Sequence, residues 1–69
     1  MKQQYYVNDH PQSNGDHEVH VTSCRFYHLM RSKTDLGEFD SCQEAVRVAK
    51  RRYSTANGCI VCCTPCHTR

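Results

Sequence analysis

The chain is poor in the residues that build a large core. It has no tryptophan and only two phenylalanines among 69 residues, and its mean hydropathy is −0.78. A chain this short buries about 60% of the surface it exposes when unfolded, and core packing at this size supplies roughly 3–5 kcal/mol. No apolar run approaches the ~20 residues of a membrane helix, so no helical span and no membrane partner is expected. Charge of one sign is also scarce, and a net +2 makes no demand for a polyanionic partner. Paired carboxylates, a nucleophile–base pair and a phosphate-cradling glycine loop are all missing, so no enzyme is expected. Residues 1–11 contain no apolar stretch and no small-residue cleavage site, and are not read as a secretory signal. No repeat or linker divides the sequence, which implies one domain over 1–69.

Against these shortages stand six cysteines and five histidines. In a short chain such a set is either a disulfide framework or a metal site, and the compartment decides between them. With no leader legible, the expectation is a cytoplasmic protein whose thiols stay reduced and free for metal.

The first 22 residues read as a hairpin. Residues 4–8 are β-prone, Ser13-Asn14-Gly15-Asp16 is a turn, and Glu18-Val19-His20-Val21-Thr22 alternates. Asn14-Gly15 suits a two-residue type I′ turn. That register puts Val19 and Val21 on one face and His20 on the other, with Tyr5 and Val7. Residues 24–35 fit no period and read as an irregular loop with one helical turn, and residues 36–40 as a third strand. Ser41-Cys42-Gln43-Glu44 is a capping box. Cys42, Ala45, Val46, Ala49 and Tyr53 then fall on one helical face, and Lys50, Arg51 and Arg52 complement the dipole at its end. The helix is expected from about Cys42 to Tyr53, with Asn57-Gly58 as its stop. The fold class is therefore α+β: a three-stranded antiparallel sheet of residues 4–8, 17–22 and 36–40 with one helix across it.

The chemistry is concentrated in His20-x3-Cys24 and Cys59-x2-Cys62. Zinc takes four tetrahedral nitrogen or sulfur ligands, and a two-residue gap lets one tight turn present two sulfurs. The expected metal ligands are His20, Cys24, Cys59 and Cys62, holding Zn2+. Thirty-four residues separate the two halves, so an ion there closes a loop that is entropically costly in the unfolded chain. Cys42, Cys66 and His67 are the substitute ligands. His20 has an alternative reading as an exposed strand histidine. To join the site it needs the helix and C-terminus on the Tyr5/Val7 side, or a bulge near Thr22.

These residues, with Phe39-Asp40-Ser41 and Glu44-Ala45 at the helix start, resemble the Ada-type zinc-binding module. That module has C-x3-C or H-x3-C, then F-x-S-x-x-E-A, then C-x2-C. The likeness covers residues 19–62 and implies a zinc-stapled scaffold. In the repair regulators that carry it, the first ligand is a methyl-accepting thiolate. His20 occupies that position here, so the resemblance implies the scaffold and not the reaction. The whole chain is also similar to a group of small bacterial proteins, a likeness that brings no function with it.

Other readings compete for the same residues. Cys63-Thr64-Pro65-Cys66-His67 has the spacing of a c-type haem attachment sequence, or it extends the metal knuckle. Cys59-x2-Cys62 and Cys63-x2-Cys66 have thioredoxin-like spacing without the strand–helix context. Cys42 opens the apolar helix face and reads as a buried structural cysteine rather than a reactive one. Arg25, Arg31, Lys33, Arg47, Lys50, Arg51 and Arg52 are either a solvated surface or a weak nucleic-acid contact. The expected function is a monomeric structural zinc module that binds a protein partner or, weakly, a nucleic acid. The alternatives are a thiol-based redox or alkylation-responsive protein using Cys42, Cys63 and Cys66, and an exported disulfide-stapled protein.

Overall fold

A computed structural model describes residues 1–68. Four strands form one mixed sheet: β1 (Gln3–Asn8), β2 (His17–Val21), β3 (Lys33–Phe39) and β4 (Ala56–Gly58), in the order β3-β1-β2-β4. β1 pairs antiparallel with both β2 and β3, whereas β4 runs parallel to β2. The α+β class holds, but the sheet is neither three-stranded nor wholly antiparallel. β4 went unread because alanine, asparagine and glycine disfavour strands. Tertiary packing overrides that preference, and all three of its residues are buried.

The hairpin register also differs from the expected one. Asn14 has no positive φ, so the turn is not type I′; Gly15 alone adopts it, at +90°. Gly15 N–H donates to Gln12 O and Gln12 N–H to Asp16 O, both at 2.8 Å, which makes a three-residue loop. With two extra residues on the first strand between Val7 and Gln12 left out of the ladder, Tyr5 faces Val21, Val7 faces Val19 and His20 pairs with Tyr6. Tyr5, Val7, Val19 and Val21 thus share a single core face and His20 points away from it. Val7 and Val19 are fully buried, and each gains about 1.5–3 kcal/mol from leaving water.

Helix α1 (Cys42–Arg52) covers that face. Ser41 caps it, its Oγ accepting the Glu44 N–H at 3.4 Å. Cys42, Ala45, Val46 and Ala49 form its buried stripe, and the two alanines let the helix approach the sheet closely. The helix ends at Arg52 with Tyr53 extended. Asn57-Gly58 is therefore not its stop but part of β4.

Asp9, at the end of β1, ties three elements together. Its carboxylate accepts hydrogen bonds from Thr34 Oγ1 at 2.7 Å, Tyr53 Oη at 2.8 Å and Ser32 Oγ at 2.9 Å, and Arg52 Nε lies 3.8 Å away. Partial burial would raise its pKa, but the three hydrogen bonds and the Arg52 charge outweigh that and hold it below the ordinary carboxylate value. A carboxyl lowered on folding stabilises the native state above its unfolded pKa, and the gain is lost as pH falls through the folded value. Asp9→Asn is expected to cost about 1–2 kcal/mol in urea unfolding at neutral pH. The gap to wild type should narrow below about pH 4.

Candidate metal centre

The two halves of the cluster are brought together at the ends of the neighbouring strands β2 and β4. Beyond β2 the chain turns back at once, Cys24 N–H donating to Val21 O at 3.1 Å, which returns Cys24 towards His20. Of the two routes offered for His20, packing on the Tyr5/Val7 side does not apply because His20 lies on the other face, and this turn stands in place of a bulge near Thr22. On the other side, β4 lies against β2 with Gly58 beside Val19, and Cys59 N–H continues the ladder to Val19 O at 3.1 Å. Cys59 therefore emerges next to His20. Cys63 N–H donates to Cys59 O at 2.8 Å, closing the knuckle that presents Cys62.

The ligand atoms of His20, Cys24, Cys59 and Cys62 all lie within 4.8 Å of one another. Cys24 Sγ is 3.6 Å from His20 Nδ1 and 3.9 Å from Cys59 Sγ, and Cys62 Sγ is 3.9 Å from His20 Nδ1. A tetrahedral ion with bonds of ~2.3 Å to sulfur and ~2.05 Å to nitrogen would set these spacings near ~3.6 Å for S···N and ~3.8 Å for S···S. The observed values fall on that scale, so the four residues could hold a metal ion. His20 is 2% exposed, which removes its reading as an exposed strand histidine.

Burial sets the protonation of the group. It lowers the pKa of His20, favouring the neutral ring that a metal needs. It also raises Cys24 and pushes Cys59 up to about 12. Cys62 is raised first by its contact with the neighbouring Cys63 thiol and then by burial. A bound cation would displace those protons, and Val61 N–H, 3.4 Å from Cys59 Sγ, is placed to support the resulting thiolate.

Two contributors were not read from sequence. Glu18 Oε1 stands 3.5 Å from His20 Nε2, longer than a hydrogen bond but close enough to favour a proton on Nε2 and leave Nδ1 to the cluster. The signal was present, since Glu18 and His20 are two residues apart and share a strand face. Gly58 is the other. A Cβ there would lie 2.6 Å from Cys66 Cβ and 2.9 Å from Cys63 O, so only glycine lets the C-terminal segment close over β4.

The remaining cysteines have distinct places. Cys42 and Cys66 form a disulfide across α1 and the 3-10 turn Thr64–Cys66, so neither is a substitute ligand, and Cys66 is not available for haem attachment. His67 Nδ1 donates to Gly58 O at 3.0 Å and lies outside the cluster. Cys63 is free and fully buried, 3.8 Å from Cys62 Sγ. Among the cations, Arg25 stacks on Phe26, Lys33 on Tyr27 and Arg52 on Tyr53. No helix among the described residues is long and apolar enough to cross a membrane. No family model, curated protein or solved structure matches the chain.

Proposed function

We propose that the chain is a small structural zinc module that acts by presenting a metal-organised surface to a partner. One observation carries this reading: three sulfurs and one imidazole nitrogen, from segments far apart in sequence, converge at spacings suited to a tetrahedral ion. Zinc is the ion that this donor set favours, because it accepts a closed Cys3His shell without a water position. The Ada-type likeness of His20-x3-Cys24 and Cys59-x2-Cys62 supports the same scaffold, and His20 at the methyl-accepting position argues for a structural rather than a reactive centre. On this reading the protein is a cytoplasmic monomer without catalysis of its own, and its partner is a protein or, more weakly, a nucleic acid.

The Cys42–Cys66 bridge favours a second reading. Disulfides persist in oxidising compartments, so the same metal module would then work outside the cytoplasm.

Elemental analysis of purified protein tests the first reading and intact mass the second. About one zinc per chain is expected, falling sharply in Cys59→Ser and His20→Ala. A folded, fully reduced protein with negligible zinc would falsify it. A denatured, non-reduced mass lighter by two hydrogens than the reduced chain would report the bridge.

A further inference from the structure

Among the described residues four large apolar side chains are exposed, and three of them belong to the segments that carry the candidate metal ligands. Leu29 is 70% exposed, in the 3-10 turn Tyr27–Leu29 that follows Cys24, and Ile60 and Val61 sit inside the Cys59-x2-Cys62 knuckle. Scattered apolar residues need no explanation, but these gather where one element closes on another. Leu29 and Ile60 flank a cavity of about 390 Å³, with Phe26 as a further apolar wall and Glu18 and His20 in its lining. That volume lies in the range of about 300–1,000 Å³ typical of small-ligand sites.

Among the polar residues of this lining, Asn8, Gln12, Glu18 and His20, the carboxylate of Glu18 is the one acidic group. Its lining contains no lysine or arginine. Its acidic member, Glu18, has a side chain only 14% exposed and lies against His20. Three thiolates and a divalent ion leave the adjacent centre net negative as well. Arg25, the cation beside this wall, is engaged on the Phe26 ring at 5.4 Å and does not line the cavity. Glu18, hydrogen-bonded by Gln12 and within the field of His67, therefore faces apolar walls and neutral amides, with no lysine or arginine of the chain's own in the lining.

We propose that this cavity binds an organic cation with an apolar body: a primary amine or guanidinium carried on an aryl or alkyl stem. The stem packs between Leu29, Ile60 and Phe26, and the cationic head is held by Glu18 and the negative field of the metal centre. Ile60 is placed by the knuckle, so the inference rests on the zinc reading. The ligand chemistry can come from a free amine or from a basic side chain of a peptide.

The test uses the full chain, with its zinc content measured first. Benzylamine, benzyl alcohol and benzoate have similar size and differ in charge. Each is titrated at about pH 8 and followed by backbone amide shifts. Shifts are expected to gather at Glu18, Phe26, Leu29 and Ile60. Benzylamine should bind about tenfold more tightly than the alcohol, with benzoate weakest. Leu29→Ser and Ile60→Ser change exposed side chains, so zinc content should hold while benzylamine binding weakens about tenfold. Acetyl-phenylalanyl-lysinamide separates the sources. Binding comparable to benzylamine assigns a peptide side chain, and much weaker binding assigns a free amine. The proposal is overturned if a zinc-replete chain binds the three probes equally, prefers benzoate, or shifts only elsewhere. A chain without zinc overturns this proposal and the structural reading together.

Discussion

Chelation of the zinc-loaded protein under non-reducing conditions is expected to unfold it, with loss of amide dispersion and of any cooperative thermal transition. The expected size follows from comparing two terms. Structural zinc contributes roughly 10–16 kcal/mol of apparent free energy in small peptides near neutral pH. The core of a chain this size supplies roughly 3–5 kcal/mol. Here that core is built from five sheet residues, a helix stripe that includes two alanines, and several cysteines. An ion in this cluster would also perform a topological task that packing does poorly. It would join Cys24, beyond β2, to Cys59 and Cys62, beyond β4, and so hold in place a three-residue strand of low β propensity. Without it, His20 is a buried imidazole at 2% exposure whose Nδ1 faces only neutral thiols. Circular dichroism and amide spectra before and after EDTA check the prediction. A transition moved by less than ~5 °C would mean that less than ~1 kcal/mol depends on the ion, and would end the structural reading.

Much of this arrangement was legible because short-range chemistry specified it. Ser41 and Glu44 marked the helix start, and Cys42, Ala45, Val46 and Ala49 marked its buried face; the structure agrees to within one residue at the far end. The ligand quartet was legible for a similar reason, since each half is a local spacing that one turn can present. What failed to show was long-range. Asn14-Gly15 pointed to a two-residue turn, but the loop takes three residues, and the shift carries Tyr5 and Val7 to the valine face. β3 begins at Lys33, inside the stretch read as irregular, because its pairing with β1 shifts register between Tyr5 and Tyr6 and so blurs any alternation. β4 has no propensity of its own. It is fixed by Asn57, whose Nδ2 donates to Asp16 Oδ2 at 3.1 Å while its Oδ1 accepts from Thr68 N at 3.2 Å. Neither contact has a local signature. Nor does composition indicate that one chain would place a candidate metal-ligand cluster beside a disulfide, since free thiols and bridges ordinarily belong to different redox compartments.

That coexistence leads to the second large effect, a loss of about 3 kcal/mol of stability in Cys42→Ala/Cys66→Ala. The bridged residues are 24 apart in sequence, and a loop of that length constrains the unfolded chain by roughly 3–3.5 kcal/mol on the chain-entropy account. Alanine avoids leaving an unpaired polar group, so the loss should appear as a lower urea midpoint with little native rearrangement. The consequence for metal is larger than the distance between the sites suggests. Cys66 packs directly on Gly58, and Gly58 precedes the ligand Cys59, so the bridge holds β4 in the position that presents the knuckle. If the metal-free chain is unfolded, each binding event also folds it, and a stability deficit becomes an affinity deficit of the same size. Three kcal/mol is then about a 100-fold weaker apparent zinc Kd. Competition with a chromophoric chelator measures this directly, and reduction of the wild-type bridge should reproduce it. A variant with the lowered urea midpoint but a zinc Kd within about threefold of wild type would show that the metal-free chain keeps its fold, breaking the link between binding and folding.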